Sequence, residues 1–223
     1  MKRKTKRRIG FLTGFAVYFG LIWFFWSSPA VYPLKIFVVL LHELSHAVAI
    51  WITGGVVEGI TLDPAQGGVT YGRGGNAFLG LSAGYLGSLL WGVVLVVAGY
   101  GRRVPAAGVL AATAVVVLAL TVVHVRGGFG LLFCILFGAF LLLAAWRLPD
   151  IWNRRILLVL GLTSCLYAIL DIKSDVLDRP HLPSDALLLA RMTGVPTVVW
   201  GVLWIGAALL VSGLLFRWAW RRA

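Results

Sequence analysis

Residues 33–53 read PLKIFVVLLHELSHAVAIWIT and form an apolar run that is long enough to cross a bilayer as a helix. Within this run His42 and His46 are four residues apart, so a helix places both imidazoles on one face. Imidazole nitrogens at this spacing can bind one Zn²⁺ ion together. Glu43 would then lie beside the metal, where its carboxylate can accept a proton from water and later deliver it to a leaving amine.

The structural alternative is a pair of buried histidines that hydrogen-bond to neighbouring helices, with Glu43 as their counter-charge. Ionisable groups are costly at bilayer depth. The chain contains only 4 His among its 223 residues, and two of them occur here with a glutamate within five residues of one apolar run. We therefore interpret His42, Glu43 and His46 as a metal site.

The composition identifies the class of protein. The chain is 60% hydrophobic and 13% charged, and its mean hydropathy is +0.93. The hydrophobic fraction and the mean hydropathy are higher than in soluble domains and the charged fraction is lower, which is typical of polytopic membrane proteins. The formal net charge is +12, but the basic residues cluster at the N-terminus and at the ends of apolar runs, where they contact lipid head groups. We expect a lipid bilayer as partner and no nucleic acid.

The apolar runs predict an all-α polytopic membrane protein with about seven transmembrane helices in a single domain, residues 1–223. Expected spans are 10–27, 33–53, 76–100, 104–125, 129–146, 155–172 and 195–216. Cys134 and Cys165 lie inside these runs and are interpreted as packing residues. After the second span, residues 56–62 and 69–71 are β-prone and flank a turn-forming segment, which predicts a short β-hairpin. A plain loop is the alternative.

The N-terminus sets the expected orientation. Six basic residues occur within residues 1–10, and an apolar run follows over residues 11–26. A cleaved signal peptide is the alternative, but the length and the bulky aromatic end of this run favour a retained first helix. The positive-inside rule then places the N-terminus in the cytoplasm. We expect a multi-pass protein of the plasma membrane whose metal site faces the cytoplasmic half of the bilayer.

A hydrolytic zinc site needs a third protein ligand. The candidates are acidic: Glu58, Asp63, Asp150, Asp171, Asp175, Asp178 and Asp185. Spans two and six cross the membrane in the same direction, and His46 and Asp171 lie at similar depths, about 20 Å and about 24 Å along them. Asp171 also continues a polar stripe of Ser164 and Tyr167. We predict Asp171 as the third ligand, because Asp175 lies a turn further out and Asp185 is expected outside the hydrocarbon. The alternatives are Asp175 or Asp185 as ligand, and Asp171 as a helix cap or as a partner of Lys173.

The first half of the third span is dense in small residues, with GLSAGYLGS over residues 80–88. Small side chains let helices approach closely in lipid. Two interpretations are open: a general packing seam, or a seam that holds the third span against the metal helix.

These residues resemble the site-2 protease family of intramembrane zinc metalloproteases, in its compact branch without a PDZ domain. The resemblance implies that His42 and His46 are zinc ligands and that Glu43 is the catalytic base. Residues 54–71 look like the membrane-associated β-loop of that family, on the cytoplasmic side. Leu170-Asp171-Ile172 looks like its Leu-Asp-Gly motif, with isoleucine in place of the glycine.

The resemblance extends to the small-residue segment 83–88, AGYLGS, which has Tyr85 where the family usually has proline and Ser88 in place of asparagine. It implies that Gly84 and Ser88 help to position substrate. The expected function is hydrolysis of a peptide bond in or near a transmembrane segment of a membrane-protein substrate, with Zn²⁺ as cofactor. The alternative is a catalytically inactive protease-like membrane protein that binds metal or sequesters client proteins.

Overall fold

A computed structural model of the chain describes residues 2–101, 104–178, 181 and 183–222. The elements along these residues are mostly helices, with three short strands and one π-helical turn. In chain order they are α1 (Lys2–Phe24), α2 (Tyr32–Ile52), β1 (Val56–Leu62), β2 (Gly68–Arg73), α3 (Ala77–Tyr100), α4 (Ala106–Val123), β3 (Val125–Arg126), α5 (Gly128–Arg147), α6 (Asp150–Ile172), the π-helical turn Lys173–Asp178, α7 (Asp185–Thr193) and α8 (Thr197–Arg222).

Six helices in the described part of the chain, α2 to α6 and α8, are long and apolar enough to cross a membrane. The predicted all-α polytopic membrane fold is thereby confirmed. The predicted first span, 10–27, falls on α1, which is not among the six because its first two turns are basic. Its crossing of the membrane stays a prediction. The observed bounds of these six helices differ most from the predicted ones at two places. α6 begins at Asp150, where residue 155 was predicted, and α8 ends at Arg222, where residue 216 was predicted.

α2 is the helix around which the other elements pack. Ile36, Phe37 and Val38 are all buried, although successive residues of a helix project 100° apart. A helix that is apolar all round needs neighbours all round, and α2 contacts α3, α6 and both strands of the hairpin. The motif residues are therefore held in the interior of the protein and face other protein elements.

The crossing of α3 and α6 depends on glycines. A Cβ atom at Gly161 would lie 2.7 Å from the carbonyl oxygen of Gly92, and a Cβ atom at Gly92 would lie 2.9 Å from that of Gly161. Such overlap means that the two backbones touch, as small residues allow in membrane helices. Cys165 lies in the same crossing with a free, buried thiol, and Ser164 Oγ donates a hydrogen bond of 2.7 Å to the Ser88 carbonyl.

The predicted hairpin is present. β1 and β2 pair antiparallel from Val56↔Arg73 to Leu62↔Gly68. In the turn, the Ala65 N–H donates to Asp63 Oδ1 at 2.6 Å, as expected of an Asx turn, and Gln66 has a φ of 71°.

A third strand was not predicted from the sequence. β3 pairs with β1 in parallel, with Ile60 opposite Val125, which gives the sheet order β2-β1-β3. From the sequence, Val125 is expected at the end of the fourth span, because a strand of two residues is too short to show an alternating pattern. Among the described strands, β1 is flanked on both sides and β2 has one free edge.

The hairpin lies alongside α2 and does not project beyond its end. Ala47 packs against Val57 and Ile60 near the base of the hairpin. At the tip, Tyr32 Oη donates a hydrogen bond of 2.8 Å to the Pro64 carbonyl. Because Tyr32 begins α2, the hairpin runs back along the length of the helix, and β2 passes the metal motif.

The polar segment between α6 and α8 contains a helix that the sequence analysis missed. Ser184 Oγ accepts the N–H of Leu187 and caps the start of α7, and Gly194, with a φ of 76°, ends it. Ala186 and Leu189 are fully buried, in a cluster that includes Tyr85 of α3. This packing turns the first residue of α7, Asp185, toward α2.

Candidate metal centre

The two motif histidines lie side by side on α2, with ring centroids 4.7 Å apart. One ligand atom from each of His42, Glu43 and His46 can be chosen so that all three lie within 4.8 Å of one another. Their spacing on the helix thus has the predicted consequence, since the three side chains converge on one volume that a metal ion could occupy.

One nitrogen of His46 is held by a hydrogen bond to α3. Nδ1 lies 2.8 Å from the carbonyl oxygen of Gly80. A carbonyl can only accept a hydrogen bond, so Nδ1 carries a proton and Nε2 is the nitrogen that faces the site. A histidine that donates its other N–H to a carbonyl is typical of metal ligands.

A carboxylate from α7 completes the group around the histidines. Asp185 Oδ2 lies 3.0 Å from His42 Nε2 and 3.3 Å from His46 Nε2. Burial favours a higher pKa for Asp185, but the hydrogen bonds and charges of the two histidines outweigh it and lower the pKa below its usual range. Asp185 is therefore a carboxylate at neutral pH.

These three groups fit a zinc ion. Two ligands that are each about 2.0–2.1 Å from a tetrahedral metal lie about 3.3 Å from one another. The contacts of Asp185 Oδ2 with the two Nε2 atoms, at 3.0 and 3.3 Å, are close to that separation. The donor set of two imidazoles and one carboxylate is also that of many hydrolytic zinc sites, which keep a fourth position for water.

Asp171, which the sequence analysis selected as third ligand, lies on the wall of the same pocket. Its side chain hydrogen-bonds to Asp175, whereas Asp185 reaches the histidines. The depth comparison placed Asp185 outside the hydrocarbon, because it did not include α7, which turns this residue back toward α2. Three signals in the sequence could have identified α7. They are Ser184 as an N-cap, the apolar residues Ala186 and Leu189, and Gly194 as a stop. A ligand role for Asp171 stays a prediction.

Glu43 is 3% exposed and points at the hairpin. Its Oε2 accepts a hydrogen bond of 2.7 Å from Thr70 Oγ1. β2 approaches the carboxylate so closely that a Cβ atom at Gly68 would lie 2.6 Å from Oε1. Glu43 is thus enclosed between the metal helix and β2.

The small-residue segment of α3 packs directly on the metal helix. A Cβ atom at Gly84 would overlap the His42 imidazole and lie 2.7 Å from His46 Nε2, and one at Gly87 would overlap the side chain of Ser45. Of the two open interpretations, this contact supports a seam that holds α3 against α2.

The two residues assigned to substrate positioning lie in different surroundings. Gly84 borders the histidines, whereas Ser88 is buried and its Oγ donates to the Tyr85 carbonyl at 3.0 Å. Their role toward substrate stays a prediction. Tyr85, which stands where the resembled family has proline, packs its ring edge-on against His42 with centroids 4.8 Å apart.

A pocket of about 570 Å³ opens in front of the metal group. Its walls are formed by α2, by the turn and the second strand of the hairpin, and by α3, α6 and α7. It brings together His42, Glu43, His46, Asp171 and Asp185, and it also exposes part of β2 to the same space.

Comparison with known proteins identifies one family. The sequence model of a family described as Peptidase M50B-like matches residues 15–215, which is most of the chain. Neither the curated proteins nor the solved structures contain a significant match.

Proposed function

The chain belongs to the Peptidase M50B-like family and is a membrane metallopeptidase, and we propose that it is a zinc endopeptidase that hydrolyses a peptide bond in or near a transmembrane segment of a membrane-protein substrate. The observation that carries this proposal is the convergence of His42, His46 and Asp185, with Glu43 beside them, on a pocket that is open on one side.

Each residue of the group has a separate task in this proposal. His42, His46 and Asp185 hold the metal, and Glu43 accepts the proton of the attacking water and delivers it to the leaving amine. Zinc bound there supplies Lewis acidity that polarises the scissile carbonyl and makes the water more acidic. Asp185 offsets part of the charge of the metal in a largely apolar bundle.

The position of β2 bears on how a substrate would bind. An open strand edge beside membrane helices needs water or another strand as partner, because backbone polar groups are not left unpaired in hydrocarbon. β2 borders the pocket, so we propose that the pocket holds water and that an unwound substrate segment adds to β2 as a further strand.

We further propose the plasma membrane as location, with the N-terminus in the cytoplasm and the metal site in the cytoplasmic half of the bilayer. The basic first turns of α1 support this orientation through the positive-inside rule. With α1 and α2 crossing in succession, α2 runs inward, so His42 lies at its midpoint and His46 lies past it, toward the cytoplasm.

The test compares zinc content and cleavage for the wild type and Glu43→Gln. The amide keeps the size of the side chain but cannot accept the proton, so zinc should stay near one equivalent while turnover of labelled casein in detergent, and of single-span reporter proteins in liposomes, is abolished. Glu58→Gln is the matched control, because Glu58 pairs with Arg73 on the hairpin, away from the metal group.

Three outcomes would contradict the proposal. Loss of zinc from Glu43→Gln would make Glu43 a ligand and not the base. Undiminished cleavage by Glu43→Gln would remove Glu43 from the reaction. Wild-type protein that holds zinc and leaves the casein and every reporter intact would favour the alternative, an inactive protease-like protein that sequesters clients.

A further inference from the structure

Thr70 of β2 makes a hydrogen bond to the side chain of Glu43. Its Oγ1 lies 2.7 Å from Glu43 Oε2 and 3.0 Å from the Glu43 carbonyl oxygen. A threonine hydroxyl has one proton to donate, and a carboxylate is the stronger acceptor of the two. The shorter contact is therefore the main one, and it holds one particular oxygen of the carboxylate.

Gly68 lets β2 come close enough for this contact. A Cβ atom there would lie 2.6 Å from Oε1 and 2.9 Å from Cδ of Glu43. The backbone of β2 thus stands against the carboxylate on the side of Oε1, while the Thr70 hydroxyl holds Oε2. The terminal torsion of glutamate is intrinsically broad, so these contacts are what restrict the rotation of the group.

We propose that Thr70 is a positioning residue for catalysis, which fixes the orientation of the Glu43 carboxylate through its hydrogen bond to Oε2. The inference rests on the proposed function, since it takes Glu43 as the catalytic base. It assigns β2 a task beyond binding substrate, because the strand that a substrate would join also orients the base.

The hairpin has other attachments, so the contact can be tested without detaching it. β1 pairs with β2 and β3, and the tip is held by the hydrogen bond from Tyr32 to the Pro64 carbonyl. Removal of the Thr70 hydroxyl should therefore free the carboxylate while the strand stays in place.

Thr70→Val removes the hydroxyl and keeps the shape and β-propensity of the side chain. For labelled casein in detergent, we expect kcat to fall about 10- to 100-fold, the range for a misplaced catalytic group. KM should change less than about twofold and zinc should stay near one equivalent, because neither substrate nor metal contacts are removed. Thr70→Ser restores the hydroxyl and should recover most of kcat.

Two control variants separate positioning of the base from loosening of the hairpin. Thr61→Val makes the same chemical change on β1, where Thr61 pairs with Val69. Tyr32→Phe removes the hydrogen bond at the tip. Both should keep kcat within about twofold of the wild type, because neither side chain contacts Glu43. An equal loss in either control would overturn the inference, as would a Thr70→Ser variant as slow as Thr70→Val.

A second measurement needs neither zinc nor turnover. In metal-free protein, Thr70→Val should lower the melting temperature. This shift should be smaller when Glu43 is already alanine, because the carboxylate is then gone and only the backbone carbonyl of residue 43 remains as an acceptor for the hydroxyl. Equal shifts in both backgrounds would overturn the inference. If Thr70→Val does not fold, Thr70→Ala takes its place and is compared with Thr70→Ser.

Failure of the inference and of the proposed function give different results. If Glu43→Gln is inactive and Thr70→Val is as fast as the wild type, the base is correctly assigned and the positioning role is wrong. If Glu43→Gln is fully active, the proposed function itself is wrong. If Thr70→Val loses zinc, the hydroxyl supports the metal site and does not position the base, which also overturns the inference.

Discussion

The Oδ2 atom of Asp185 lies 3.0 Å from Nε2 of His42, although 143 residues separate them in the chain. The two residues meet because the π-helical turn after α6 leads into α7, whose first residue faces α2. A carboxylate is favoured at the N-terminus of a helix by the helix dipole. The carboxylate at the histidines thus comes from a short helix and not from a membrane span.

The first prediction concerns the identity of the third ligand. Asp185→Ala should weaken zinc binding at least about tenfold, since removal even of groups that only support a ligand costs 10- to 100-fold. Activity should fall with zinc content. Asp171→Ala should keep zinc near one equivalent, because the carboxylate that contacts both histidines is that of Asp185. Zinc per protein, measured by elemental analysis after dialysis against a zinc buffer, decides between them. If Asp171→Ala loses zinc and Asp185→Ala keeps it, the depth comparison was right.

The second prediction is that zinc stabilises the folded protein through the same group. A ligand present at 100 times its Kd adds about 2.7 kcal/mol to the free energy of unfolding, so the melting temperature of metal-free protein in detergent should rise when zinc is added. His46→Ala should abolish the rise. His124→Ala should retain it, because His124 packs on Trp51 away from the group. A rise that survives in His46→Ala would mean that zinc binds elsewhere.

The third prediction concerns the close approach of α3 to the histidines. Gly84→Ala adds a Cβ atom that would overlap the imidazole of His42, so either the helices separate or the ring turns. We expect a loss of about 1–3 kcal/mol in stability, the usual cost of overpacking, together with weaker zinc binding. Gly206→Ala is the matched control, since a Cβ atom there meets nothing within 4 Å. Thermal unfolding and zinc titration of both variants would check this.

Most of the fold could be predicted because long apolar runs and the HExxH spacing are local signals. The segment 33–53 needed only its length and periodicity to be assigned, and the hairpin needed only two β-prone runs around a turn. β3 could not be found in this way, because its two residues acquire their strand geometry only by pairing with Ile60 and Thr61 of β1. That pairing depends on tertiary contact.

In the candidate site, too, residues close in the sequence could be predicted and residues brought together by tertiary contact could not. His42, Glu43 and His46 are brought together by the turn of one helix, so the sequence sufficed. Asp185 and Thr70 reach them from separate elements, and their positions depend on how α7 packs and on how the hairpin folds back along α2. No spacing within the sequence encodes these distances. The choice of Asp171 placed Asp185 outside the hydrocarbon, because it did not include α7.

The last prediction concerns the orientation of the chain. If α1 crosses the membrane together with the six apolar spans, the two ends of the chain lie on opposite sides. Six basic residues fall within residues 1–10, and three more, Arg217, Arg221 and Arg222, lie at the other end. The larger charge should be retained in the cytoplasm, although this leaves basic residues at 147–155 and 217–222 outside.

Fusions made after residues 101 and 222 should therefore give active alkaline phosphatase in a bacterial host, whereas fusions after 75 and 127 should give fluorescent protein. The reverse pattern would put the metal site in the outer half of the bilayer. Reporters placed before residue 1 and after residue 222 that proved to lie on the same side would show that α1 does not cross.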